Sequence, residues 1–164
     1  MKRYNIINMY IQGSNVSPQV SHGLNNLWKS LDQMSLDAKS LFLHWAHSSE
    51  VEINLQGGSH KDLEALYASL KDIQDIPSAK FNESQDALCG ACTVVTFVAS
   101  ERIVAINNYI RYNRVKKKDF YKLRSLTFRE LEIPVMDDEM DKSAEISDSE
   151  INVATYISRL PTAR

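Results

Sequence analysis

Two cysteines in the run Cys89-Gly90-Ala91-Cys92 have the spacing of a redox pair or of half a zinc site. A redox pair owes its reactivity to a following helix whose N-terminus stabilises the thiolate. Here the following residues, Thr93 to Ala99 (TVVTFVA), have strand character, so that stabilisation is missing. Zinc would need two further ligands. His44-Trp45-Ala46-His47 offers a second pair at helical spacing, but one such Cys pair plus one such His pair is not a finger pattern. The sequence therefore predicts two reduced thiols at a strand entrance, with no metal and no cofactor.

The other chemistry-bearing feature is charge. Arg102 to Arg129 carries nine bases: Arg102, Arg111, Arg114, Lys116, Lys117, Lys118, Lys122, Arg124 and Arg129, opposed by Asp119 alone. Lys116-Lys117-Lys118 with Phe120 and Tyr121 mixes cations with rings, as surfaces that hold phosphates and stack bases do. Glu130 to Glu150 then carries nine acids opposed by Lys142 alone. Its densest stretch, Asp137 to Asp141, reads as solvated and mobile. Such a block could fold onto the basic patch and gate it, or dock a protein partner.

The whole chain has 164 residues, 21 acids against 19 bases and a net charge of −2. With 43% hydrophobic and 24% charged residues it reads as a globular domain, not a disordered chain or a disulfide scaffold. The net sign argues against a basic coat for nucleic acid, so any such binding is local. No apolar run approaches the roughly 18–20 residues that span a bilayer, and Ile6 to Ile11 is too interrupted for a signal-peptide core. The expectation is a cytoplasmic protein that keeps off membranes. Its oligomeric state is left open, a homodimer included.

The elements that position these groups follow from periodicity. Tyr4 to Gln12 reads as a buried strand, Gly13-Ser14-Asn15 as a loop, and Ser17-Pro18 as the start of a helix with Val20, Leu24, Leu27, Trp28 and Leu31 on one face. A second helix is expected over Leu36–His47 and an alternating strand over Glu50–Leu55. Ser59 with Asp62 opens a third helix lined by Leu63, Leu66, Tyr67 and Leu70. Ile76 to Phe81 reads as a short strand that Pro77 places at an edge, followed by a polar loop over Asn82–Cys92. Thr93–Ala99 is apolar on both alternations and belongs in the centre of the sheet. Helices follow over Glu101–Arg114 and Ile151–Leu160. This order predicts an α/β three-layer sandwich: a mixed four-stranded sheet with helices on both faces, plus a charged C-terminal extension. Domain boundaries are placed at 1–114 and 115–164.

Gln19-Val20-Ser21-His22 opens the first helix directly after the first strand and its loop. Ser59 to Tyr67 supplies a later helix, and Gly90-Ala91-Cys92-Thr93-Val94-Val95 a glycine before a Thr-Val strand. In this order and spacing the chain resembles the type 2 peptidyl-tRNA hydrolase family over about residues 4–110. The resemblance implies hydrolysis of the ester that joins a peptide or blocked amino acid to tRNA, without a cofactor. Two family features are not matched. The lysine-rich loop before the first helix reads Gly13-Ser14-Asn15-Val16-Ser17, with Asn15 about where the catalytic lysine would stand. The family's Asp-Ala-Gly after the third strand is missing, and the nearest acids are Glu83 and Asp86.

The resemblance implies these roles. Thr93 donates to the carbonyl oxygen or positions the water, and Asp86 or Glu83 orients or deprotonates that water. His22, beside Leu24 and Trp28, is carried as a further catalytic candidate, although its setting is that of a packed histidine. Lys80 and Asn15, and by their charge alone the bases Arg111, Arg114, Lys116, Lys117 and Lys118 beyond the resemblance, are the candidates for holding tRNA. The alternative is a member of the same scaffold that has lost hydrolysis with the lysine loop and binds tRNA or a protein partner.

Overall fold

A computed structural model describes residues 1–73 and 75–163. The chain divides into two compact units: residues 1–99 joined by the C-terminal residues from Leu160, and residues 100–159.

The first unit holds a mixed four-stranded sheet in the order β2-β1-β4-β3. Its strands are β1 (Lys2–Ile7), β2 (Glu52–Gln56), β3 (Ser78–Asn82) and β4 (Cys92–Ala99). β1 pairs parallel with β2, and β4 runs antiparallel to both β1 and β3. The expected α/β class and mixed sheet are therefore present. All eight residues of β4 are buried, and the strand is flanked on both sides. Neither of its apolar faces could be left in water without losing roughly 25 cal/mol per Å². β3 lies at the edge, where Pro77, lacking an N–H, is tolerated just before the strand and lends its carbonyl to the Val98 amide.

Helices cover both faces of this sheet. On one face α1 (Val16–Lys29) and α2 (Leu36–His44) bring Leu27 and Phe42 onto Ala79 and Val98, and Val20 onto Ile7 and Val94. Gly23 of α1 lies against β4: a Cβ there would come within 2.3 Å of Thr96 Oγ1. On the other face Tyr4 stacks on Phe97 with ring centres 5.6 Å apart, and α3 (His60–Lys71) lays Leu63 beside Ile6. The residues from Leu160 return to the edge of β2, where Gln56 donates to Pro161 and Ala163 to Asn54.

Four local expectations shift. β1 stops at Ile7 rather than Gln12, because Asn8 turns away to hydrogen-bond Cys92 and Met9 donates to Gly58. α1 begins at Val16, fed by a 3-10 turn over Gly13–Asn15, so Ser17 is not its cap. Pro18 still sits in the first turn, where the amides have no helical partner to lose. α2 ends at His44 and widens into a π-turn over Trp45–Ser49. The polar loop after β3 winds into one helical turn, α4 (Gln85–Leu88), capped by the Ser84 hydroxyl.

The second unit contains α5 (Glu101–Tyr112), capped by Ser100, and α6 (Asp148–Arg159), which pack together. A 3-10 run over Lys117–Ser125 lies between them in sequence and touches α6. Ser147 and Glu150 form a reciprocal capping box at the start of α6. The acidic run folds as a turn tied by Arg129–Asp141 and Lys142–Glu139 pairs, with Asp137 and Asp138 solvated. Among the described residues no helix is long and apolar enough to cross a membrane.

Candidate functional site

The ladder between β3 and β4 slips at one point. Phe81 pairs with Val94 and Asn82 with Cys92, leaving Thr93 as the extra residue of a β-bulge. A bulge re-aims a side chain out of the regular alternation. Thr93 accordingly turns to the face covered by α1, where its hydroxyl lies 2.5 Å from Gln19 Oε1. Gln19 Nε2 in turn donates to Glu83 Oε1 at 2.8 Å. The direction of this relay follows from its end. A carboxylate only accepts, so the Gln19 amide nitrogen must face Glu83, its oxygen must face Thr93, and Thr93 must be the donor. Thr93 and Gln19 are buried, and Glu83 is half-buried with its second oxygen not engaged in a hydrogen bond among the described residues.

These groups gather where β1 and β3 end and β4 begins. Asn8 just past β1 donates its side-chain amide to the Cys92 carbonyl, and its backbone amide donates to Thr93. His22, one turn along α1 from Gln19, is exposed and stacks its ring on Phe81 with centres 4.3 Å apart. Asp86 lies exposed on α4, and Asn15 lies exposed before α1 with no capping bond. Ligands of α/β sheets bind outside the ends of the parallel strands, and this is such a place.

Lys80 does not join the relay. Its ammonium donates to both oxygens of Glu64 on α3, at 2.8 and 2.5 Å, and lies over the Tyr67 ring. The reason is alternation: Lys80 pairs with Val95 in the ladder, on the face that α3 covers, while the bulge sends Thr93 to the other. Asn82 also reaches Glu64. The hydrogen bond from Lys80 holds the Glu64 carboxyl below the usual carboxylate range.

The cysteine pair is split by environment. Cys89 is exposed in a left-handed conformation, whereas Cys92 is fully buried at the start of β4. Burial, with Glu64 nearby, pushes the Cys92 thiol up to about 11. His60 accepts a hydrogen bond from the Cys92 backbone through Nδ1 at 2.8 Å.

In the second unit the acids single out particular bases. Arg102 pairs with Glu150, Arg124 with Asp148 through two hydrogen bonds, and Arg129 with Asp141. Arg111 donates to the Ile157 carbonyl. Arg114, Lys116, Lys117 and Lys118 are exposed and have no carboxylate partner among the described residues. Arg114, Lys116 and Lys118 line a cavity of about 410 Å³.

The structure thus joins Thr93 to Glu83, sets His22 on the adjoining ring, and leaves Lys80 out. Gln19 is the residue that sequence reasoning quoted only within a motif and gave no role. Its signal is a long polar side chain on the apolar face shared with Val20, Leu24 and Leu27. No protein-family model matches the chain, and no curated protein matches it.

Proposed function

We propose that the protein is peptidyl-tRNA hydrolase-like and cleaves the ester between a peptide or blocked amino acid and tRNA. The observation that carries this reading is the Thr93–Gln19–Glu83 relay. It joins, across 74 positions, the Gln-x-x-His helix and the Thr-Val strand on which the resemblance rests. Glu83 takes the role of the acid. Its free oxygen takes a proton from water as that water attacks the ester carbonyl carbon. The C–O bond to the ribose then breaks, and Glu83 returns the proton to the leaving 3′ oxygen. The products are the free carboxylic acid and deacylated tRNA. Thr93 and Gln19 position Glu83, since the single hydroxyl proton of Thr93 is already given to Gln19. The exposed cations Arg114, Lys116, Lys117 and Lys118 take the tRNA phosphates.

A second reading has its own observation. Among the described residues no lysine or arginine is bonded to the relay: Lys80 is taken by Glu64, and the loop before α1 has no lysine. Without one the oxyanion is poorly held. The protein would then bind tRNA on this scaffold without cleaving it.

The deciding experiment is turnover of N-acetyl-aminoacyl-tRNA by the full chain beside a tRNA-binding titration. Hydrolysis that falls about 100-fold in Glu83→Gln with affinity retained supports the first reading. In the same assay Thr93→Ala lowers rate more than affinity. Binding without ester cleavage leaves the second reading, and loss of both removes the two together.

A further inference from the structure

We infer that the second unit carries a binding pocket for a single phosphorylated nucleotide, formed where α5 ends. The inference shares Arg114, Lys116 and Lys118 with the tRNA contact proposed above but does not rest on ester hydrolysis, because the Thr93–Gln19–Glu83 relay lies in the other compact unit.

Three observations carry it. First, the cavity has the volume of a small-ligand site, for which about 300–1,000 Å³ is usual. Its cations are also the ones that the acidic run leaves alone. Arg102, Arg124 and Arg129 each hold a carboxylate, whereas Arg114, Lys116 and Lys118 hold none among the described residues. The one acid in the wall, Asp119, is taken by Lys122 at 3.3 Å. The wall is thus left with three uncompensated positive charges for an anion.

Second, the wall is not purely ionic. Val115, Leu123 and Leu126 supply an apolar side, with Leu123 and Leu126 buried. The Asn113 amide donates to the Tyr109 carbonyl at 3.0 Å and keeps its oxygen for a ligand donor. A cationic rim beside an apolar surface with one amide suits a phosphate joined to a base better than a bare phosphate.

Third, Arg114 stands where a glycine is favoured. Val115 donates to Ile110 and Arg114 to Arg111, which closes α5 as a Schellman motif with Arg114 at its left-handed position, φ 49°. A side chain held there at a conformational cost, and lining a cavity, points to a use for its charge.

The test is isothermal titration of the full chain with the four nucleoside 5′-monophosphates, the matching nucleosides, inorganic phosphate and a short single-stranded RNA. The expected result is saturable binding of at least one monophosphate, about tenfold or more tighter than its nucleoside and than phosphate alone. The double variant Lys116→Ala/Lys118→Ala should lose about tenfold in affinity. Arg114→Gly should also bind more weakly while its thermal midpoint holds or rises, which separates ligand loss from unfolding. RNA that competes with the monophosphate identifies the ligand as a unit of a strand, and RNA that does not compete identifies a free nucleotide. Nucleosides binding as tightly as their monophosphates, no saturation by any of them, or full affinity in the lysine variants would overturn the inference.

Discussion

A hydroxyl has one proton to give, and Thr93 gives its proton to Gln19. That fact moves the candidate chemistry from Thr93, as a donor to an oxyanion, to Glu83, as the acid that a donated hydrogen bond holds in place. The cysteines divide by the same kind of local accounting. Burial is the larger cause that pushes Cys92 up to about 11, so little thiolate forms near neutrality. Cys89 is exposed at the turn before it. Thiol labelling of the folded chain near pH 8 should therefore modify Cys89 and leave Cys92 untouched until denaturant is added. Mass spectrometry of the labelled peptides reads this directly. Two thiols labelled at equal rates would contradict the burial of β4's first residue.

Among the elements, α1 and α3 illustrate opposite constraints. Gly23 costs α1 about 1 kcal/mol of helix propensity relative to alanine. It is kept because a Cβ would press on Thr96 Oγ1, which itself donates to Asn5 at 2.7 Å. Gly23→Ala should lower stability by about 1–2 kcal/mol in urea unfolding despite the better propensity, since overpacking costs about 1–3 kcal/mol. Pairing it with Thr96→Ala should recover most of the loss. α3 is held by carboxylates. The Ser59 hydroxyl and amide lower Asp62, and Lys80 lowers Glu64, each below its ordinary value. A group depressed in the fold adds stability that is full above its unfolded value and is lost as pH falls through the folded one. The thermal midpoint should thus drop as pH falls below about 4.5, and Glu64→Gln should flatten that part of the profile. Asp62 is exposed and Glu64 half-buried, so solvent screens both and the change is modest.

For the whole molecule, a net charge of −2 hides a separation of sign along the chain. If the unpaired cations meet tRNA, affinity should fall steeply with salt, because each neutralised phosphate releases counterions. Replacing Lys116, Lys117 and Lys118 by alanine should flatten the slope by roughly 0.7–0.9 for each phosphate that is no longer neutralised. Filter binding over a salt series measures it. The acidic run is tested by point changes rather than truncation. Deleting residues after Glu130 would remove α6, with its buried Ile151, Val153 and Ile157, and so dismantle the unit. Asp137→Asn/Asp138→Asn alters only solvated charge. Tighter tRNA binding in that variant at low salt would show these acids competing for the cations. Unchanged binding would show that the acids act through their arginine pairs instead.

The sequence by itself determined the α/β class, the central place of β4, the edge position of β3 and the capping of α3. Each depends on neighbours in the chain or on a period of two or 3.6 residues, which local spacing records. It also marked Thr93, Glu83 and the cationic run as groups with chemistry to offer. Only the tertiary structure decided which of them meet. The bulge at Thr93 reverses the alternation that spacing would assume, and so directs Thr93 to Gln19 and leaves Lys80 to Glu64 on the opposite face. The ends of β1 and α2 shifted because Asn8 and the π-turn after His44 answer to partners distant in sequence or to helix packing. Likewise, nine bases and nine acids in succession say nothing of who pairs with whom. Folding matched Arg102, Arg124 and Arg129 with carboxylates and left Arg114, Lys116 and Lys118 around an open cavity. Pairing depends on distances of a few ångströms between residues far apart in the chain, and no one-dimensional pattern holds them.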